Sequence, residues 1–270
     1  MTDEPEGRAR LEGWLRWCAP LVIALCAVLA WDLIVRLNGI PPYILPGPEL
    51  VAQSLVKDFP ILWPSLLVTL RITAMALAAA IVGGAGLAIL FSLSRWVELS
   101  LFPFAVILQV TPIVAIAPLI LIYVDNTYLA LLTCAWIVAF FPILSNTTLG
   151  LNSADHNLRD LFQLYRATRW QQLRHLRMPA ALPYFLAGLR IAGGLSLIGA
   201  IVAEFAAGTA GTGSGLAYRI LEAGYRLNIP RMFAALFLIS LAGIAIFLAL
   251  TLLQHLVLRR WHESALRRDV

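Results

Sequence analysis

Six stretches of this 270-residue chain are apolar over about 20 residues or more, and that repetition constrains the fold more than any other feature. They lie near Cys18 to Leu37, Leu66 to Leu93, Leu99 to Val124, Tyr128 to Leu149, Pro179 to Phe205 and Met232 to Leu258. A hydrocarbon core about 30 Å thick is crossed by about 20 residues of helix. No water reaches that core, so every backbone N–H and C=O must find its partner inside the protein, and runs of this length form helices. Hydrophobic residues make up 60% of the chain and charged ones 13%, where a soluble domain carries about 25% charge. The expected fold class is therefore an all-α membrane protein of about six transmembrane helices, one domain over 18–258 with short tails at 1–17 and 259–270. Arg8, Arg10 and Arg16 ahead of the first run, with Val28-Leu29-Ala30 inside it, also fit a signal peptide. Because that run continues to Leu37 and five more follow, a retained span is expected.

The positive charge is almost all arginine, since Lys57 is the only lysine among 20 basic residues. Six spans with both ends on one side place thirteen arginines on that side and four basic residues, Lys57, Arg219, Arg226 and Arg231, on the other. Basic residues gather on the cytoplasmic side of membrane proteins, so both termini are expected to be cytoplasmic, and membrane orientation accounts for the net charge of +5 without a nucleic-acid partner. Cys18, Cys26 and Cys134 are odd in number and lack Cys-x-x-Cys spacing, so neither a disulfide framework nor a zinc site is implied.

Several spans carry helix-disrupting residues: Gly83, Gly84 and Gly86 in the second, Pro103, Pro112 and Pro118 in the third, and Pro142 in the fourth. Proline removes a donor, and lipid tolerates the freed carbonyl only beside another helix or a cavity, so these helices are candidates to line a pathway. The fifth span repeats small residues at Gly188, Ala192, Ser196 and Ala200, the spacing of a close helix–helix contact. Charges inside spans are costly and mark candidate sites. Asp32 and Arg36 stand at i, i+4 and suit a local ion pair. Arg71 and Glu204 both fall toward the outer leaflet, and a bridge between them, as packing contact or outer gate, is expected. Arg190 is open to two readings, an anionic substrate or backbone carbonyls of a kinked helix.

The segment 155–178 between the fourth and fifth spans reads as two short amphipathic helices. Leu158, Leu161, Phe162 and Tyr165 share one face of the first. Thr168-Arg169-Trp170-Gln171 fits a capping box that opens the second, with Trp170, Leu173 and Leu176 on one side and Pro179 starting the next element. Such a pair suits either the headgroup layer or a groove on a partner protein.

From Trp63 to Leu258 the chain resembles the inner-membrane permease subunits of bacterial ATP-binding-cassette importers of the nitrate/sulfonate/taurine type. The resemblance is carried by Ala167-Thr168-Arg169-Trp170-Gln171, Met178-Pro179-Ala180-Ala181-Leu182-Pro183, Gly188-Leu189-Arg190, Val202-Ala203-Glu204 and Gly213-Ser214-Gly215-Leu216-Ala217-Tyr218. It implies a type I importer fold, a second permease copy, an ATPase subunit that hydrolyses ATP, and an extracytoplasmic binding protein. It also implies that Asp160, Tyr165, Arg166, Ala167, Thr168, Arg169 and Trp170 couple to that ATPase. Relatives of this type move nitrate, sulfonates or taurine, and near ones thiamine-precursor pyrimidines or riboflavin. Two positions depart from the pattern. The family's Glu-Ala-Ala falls on Asp160-Leu161-Phe162, and its glycine six residues after the acid is Arg166, which must adopt the left-handed turn at a cost or force another geometry.

Other chemistries lack their residues. No Gly-Lys-Ser/Thr loop exists to hold ATP, and Gly208 to Gly215 misses the Gly-x-Gly-x-x-Gly spacing because Leu216 takes the last position. Ser214 and His255 fall at opposite membrane faces, which excludes a serine–histidine pair. His156, His175, His255 and His262 all fall at surfaces, and His262-Glu263 continues to Leu266 without completing a metal motif. No metal or cofactor is expected on this chain. The rival to an ATP-driven permease is an ion-coupled secondary carrier that uses Glu204.

Overall fold

A computed structural model describes residues 4–208 and 213–259, with side chains from residue 19 onward. The expectations for the 259–270 tail beyond Arg259, for His262 and for residues 209–212 of the Gly208 to Gly215 run lie outside the described residues, as do the side chains of Arg8, Arg10, Arg16 and Cys18. The described residues form helices without strands: α1 (Glu4–Leu37), α2 (Pro48–Leu93), α3 (Arg95–Val110), α4 (Ile113–Tyr123), α5 (Thr127–Asn152), α6 (His156–Leu164), α7 (Arg169–Gln172), α8 (Met178–Ala207), α9 (Leu216–Tyr225) and α10 (Ile229–Leu258).

Five helical stretches are long and apolar enough to cross a membrane, and the pair α3 and α4 makes a sixth if counted as one broken span. That pair corrects the expected single span from Leu99 to Val124, because its halves meet at 102°. The break falls at Thr111-Pro112, where Thr111 takes an extended conformation (φ −69°, ψ 123°). A residue before proline is pushed out of the helical region and proline supplies no N–H, so the ladder stops there. Pro103 and Pro118 stay inside their helices.

The second span also differs from its expected start at Leu66. The helix begins at Pro48, which donates no N–H at a position where none is needed, and runs 46 residues, about 69 Å at 1.5 Å per residue. It passes through Pro60 and Pro64 because both sit on its exposed side, where the carbonyls they leave unpaired lie away from the packed core.

The fifth span begins earlier than Pro179 as well. Residues 173–177 form a π-turn that joins α7 to α8 without a break, giving one helical path from Arg169 to Ala207. A wide turn removes the clash between the Pro179 ring and the preceding carbonyls. The same turn resets the side-chain register, so Leu173 and Leu176 are buried while Trp170 stays 61% exposed, rather than sharing their face.

The core is the contact of α5 with α8, with α2 packed across both. Gly188, Ala192, Ser196 and Ala200 are all buried, as their spacing predicts. The approach is close enough that a Cβ on Gly199 would stand 2.8 Å from the Ala135 Cα, and one on Gly188 2.8 Å from the Asn146 Cβ and the Pro142 oxygen. Ile143, Leu144, Leu151 and Leu186 fill the layer around these contacts. The apolar part of α1 lies apart from this core, touching the rest through Trp31 against Phe233 (5.8 Å) and Arg36 against Glu49 (3.6 Å). The Asp32–Arg36 ion pair forms at 2.8 Å as expected.

Gly199→Val places branched methyls against backbone that cannot yield and should cost about 1–3 kcal/mol. Gly194→Ala, on the open side of the same helix, should be neutral or slightly stabilising because alanine favours the helix. Thermal unfolding of the detergent-purified variants checks both.

Candidate functional site

Two regions at opposite ends of the bundle hold the residues that the sequence singled out. At one end α6 and α7 project from the helices. Asp155 caps α6, accepting the Asn157 N–H at 2.7 Å, and α6 then turns its apolar residues outward. Leu158, Leu161, Leu164 and Tyr165 are 44–81% exposed, with Phe162 half-buried beside them, so these four are left largely uncovered by the described residues. Thr168 and Gln171 close the expected capping box: the Gln171 N–H donates to Thr168 Oγ1 at 3.3 Å, and the Thr168 N–H donates to Gln171 Oε1 at 2.8 Å.

Arg166 adopts the left-handed conformation, with φ +52°. The Ala167 N–H donates to the Phe162 oxygen and the Arg166 N–H to the Gln163 oxygen, both at 2.9 Å, which is the double bond of a Schellman helix end. Arginine therefore takes the geometry that glycine takes more cheaply, and the turn between the two helices persists. Leu161, Phe162, Tyr165, Ala167, Gln171 and His175 surround a cleft of about 410 Å³. Asp160 is exposed on the same helix. Arg169 donates to the Leu93 oxygen at 3.3 Å and ties the pair to the end of α2.

At the other end Glu204 is 2% exposed. The expected bridge to Arg71 does not form. Glu204 instead accepts the Thr69 hydroxyl at 2.8 Å and the Ala217 N–H at 3.0 Å, and Thr69 Oγ1 accepts the Leu216 N–H at 2.8 Å. Two N–H groups at the start of α9 are thus capped by side chains of α8 and α2, a favourable place for an acidic group. Gly215 is required there, since a Cβ would overlap the Glu204 carboxylate. Arg71 lies on the exposed face of α2 with its guanidinium 5.6 Å from the Tyr128 ring. It cannot reach Glu204 because Thr69, two residues earlier on α2, already occupies the side of the helix that faces α8. Arg190 is half-buried with its guanidinium 5.8 Å from the Phe247 ring on α10. That contact is the cation–π type, which neither sequence reading named.

Beyond Glu204 a second polar cluster ties α2 to α9 and α10. Asp58, 7% exposed in its side chain, pairs with Arg231 at 2.6 Å and accepts the Ser54 hydroxyl at 2.8 Å. Arg219 donates to Ser65 at 3.0 Å and pairs with Glu222 at 2.9 Å. Sequence reading missed Asp58, Ser54, Ser65, Thr69 and α9 itself. The signal was present: Ser54, Asp58, Leu62, Ser65, Thr69 and Thr73 follow helical spacing along one buried face of α2, ahead of and across the apolar run.

Glu204→Ala should strand the Ala217 N–H at about 1–3 kcal/mol and leave the Thr69 hydroxyl only its longer bond to the Ser65 oxygen at 3.3 Å, whereas Glu204→Gln keeps one acceptor and should cost less. Exchanging the charges of Arg71 and Glu204 should recover nothing. A double-mutant cycle of Thr69→Val with Glu204→Gln, read by thermal unfolding, should show coupling of about 1 kcal/mol. Asp58→Ala should destabilise by about 3 kcal/mol, because it leaves a mostly buried arginine unpaired, and Asp58→Leu with Arg231→Met should recover most of the loss.

Comparison with known proteins meets this architecture directly. Residues 76–263 match the family model of the binding-protein-dependent transport system inner membrane component. A probable ABC transporter permease protein of Haemophilus influenzae is 31% identical over 89% of this chain and 97% of its own length. The formylaminopyrimidine transport permease protein ThiX of Halalkalibacterium halodurans is 32% identical over 88% of this chain and 94% of its own. The taurine transport system permease protein TauC of Escherichia coli is 28% identical over 92% and 94%. The crystal structure of an amino acid ABC transporter with histidines shares the fold at a TM-score of 0.63 and 18% identity, covering 77% of this chain and 97% of that one. With five or six apolar spans and a family match over most of its length, the chain is a multi-pass membrane protein and belongs to the binding-protein-dependent transport system inner membrane component family of ABC permeases.

Proposed function

We propose that the chain is the translocation-pathway subunit of an ATP-driven importer, working as a homodimer with an ATPase subunit and fed by an extracytoplasmic binding protein. The observation that carries this reading is the helix pair α6 and α7: a capped, rigid protrusion whose apolar residues are left largely uncovered by the described residues. A rigid element of this kind transmits force where a flexible loop would absorb it. Its attachment is direct, because α7 runs through the π-turn into α8, so a displacement at Trp170 moves the helix that carries Glu204 near its far end. ATP would be bound and hydrolysed on the partner, and closure of the ATPases would favour the outward-open arrangement of the spans, a population shift driven by ligand. The helix pair would then face the cytoplasm together with both termini, and α9 the outside, in the bacterial inner membrane.

The substrate is a small solute, with two classes in view. Nitrate, sulfonates or taurine are the cargo that several relatives' names carry, at 23–28% identity. A pyrimidine or flavin heterocycle is favoured by the 32% identity shared with the formylaminopyrimidine permease and with the riboflavin permease RibX of Chloroflexus aurantiacus. Glu204 as an ion-coupling carboxylate has less support, since its hydrogen bonds already serve α2 and α9.

Purification of the tagged chain from its native membrane should bring down a P-loop ATPase in stoichiometric amount, and Trp170→Asp should lose it while the permease stays folded. A transport-competent preparation without an ATPase, insensitive to ATP depletion, would overturn the reading. Arg166→Gly should preserve ATPase binding and raise the unfolding temperature slightly, since glycine relieves about 1–2 kcal/mol of left-handed strain against some gain in unfolded-chain entropy.

A further inference from the structure

A cavity of about 390 Å³ lies beneath the helix pair where α2 ends and α3 begins, lined by Ser92, Leu93, Arg95, Arg169, Gln172 and Arg177 among others. Three arginines line it, each with one protein acceptor: Ser92, Leu93 and Glu98. Arg177 donates to the Ser92 oxygen at 2.8 Å and Arg169 to the Leu93 oxygen at 3.3 Å, which satisfies the last carbonyls of α2 and fixes both side chains. Arg95 pairs with Glu98 at 2.9 Å. A guanidinium carries five donors in a planar fork, so each of the three has donors beyond the one these contacts use. Glu98 is the one acid paired here among the described residues, and Arg159 and Arg169 both act electrostatically on Arg177, so positive charge is in excess.

The surroundings place this cavity at the depth of lipid headgroups. The apolar run of α2 ends at Leu93, and α3 sets out from Ser94 with no side-chain cap on its first N–H groups. Trp96 is 82% exposed and Leu99 55% exposed on the next turn, the sequence of an interfacial aromatic followed by lipid-facing residues. We infer that this arginine cavity binds a phosphate group, with the headgroup of an acidic phospholipid as its source, and so anchors the base of the helix pair to the membrane surface. Guanidinium forks match phosphate oxygens in pairs, and basic pockets between transmembrane helices at a membrane face take acidic headgroups. The cavity shares Arg169 with the segment expected to couple to the ATPase, so lipid binding is read through Arg95 and Arg177, both with and without that partner.

The test uses the full-length protein in neutral detergent, with and without any ATPase that co-purifies. It is titrated with dioctanoyl phosphatidylglycerol, dioctanoyl phosphatidylcholine or sodium phosphate, and bound lipid is counted by native mass spectrometry alongside the unfolding temperature. Phosphatidylglycerol should bind more tightly than phosphatidylcholine. That preference should fall about fivefold for each arginine removed in Arg95→Gln and Arg177→Gln, be largely kept in Arg177→Lys, and be untouched in Arg36→Gln at the opposite membrane face. Arg95→Gln leaves the α2 carbonyls capped and guards against simple misfolding. If sodium phosphate protects as well as the lipid does, the same site holds a free anion and the lipid assignment is overturned. Equal binding of the two lipids, a preference unchanged in both glutamine variants, or its loss once the ATPase is bound would overturn the phosphate site altogether, the last by assigning the arginines to an acidic face of the partner.

Discussion

The close approach of α5 and α8 sets the positions of everything else. Lipid offers no hydrophobic reward for bringing two apolar helices together, so their association rests on dispersion at short range and on the polar groups they share. At Gly188 and Gly199 the backbones come within the distance that a single Cβ would fill. Larger side chains there would part the helices, and the layer of Ile143, Leu144 and Leu186 would lose its partners. Because α8 continues from the π-turn to Glu204, this one contact also fixes where the helix pair stands at one end and where the carboxylate stands at the other.

Polar residues inside the bundle obey a single rule, that a buried donor or acceptor must be answered. Glu204 and Thr69 answer the first N–H groups of α9, and Asp58 answers Arg231. Both clusters join α2 to elements far along the chain, so they act as registers for how the helices sit rather than as isolated ion pairs. At the opposite end arginines answer the carbonyls at the end of α2. The bundle is thus tied by polar contacts near both ends and by small residues in its middle.

Much of this was legible beforehand. Apolar length revealed the spans, the small-residue repeat revealed the packed face of α8, and the Thr168–Gln171 capping box and the apolar face of α6 emerged as their patterns predict. Failures came where one local rule met a neighbour. Pro112 broke a span that Pro103 and Pro118 left intact, because only at residues 111–112 did the chain abandon the helical region. The second helix starts at Pro48 rather than Leu66 and runs through Pro60 and Pro64, because both lie on its exposed side. Glu204 and Arg71 attracted each other on paper as opposite charges in one leaflet, and helix rotation put them on different sides of α2.

By itself the sequence determined that the chain is a bundle of membrane helices and which segment protrudes from it, since length, apolarity and capping are properties of adjacent residues. It also carried the departure at Arg166, and the structure decided the outcome, a left-handed arginine inside an otherwise regular Schellman turn. Which partner each buried charge takes, where a proline breaks a helix, and how α7 merges into α8 were decided only by tertiary structure. Those outcomes depend on the rotation of one helix about its axis relative to another, and that angle is set by packing across distant segments, where no local pattern records it.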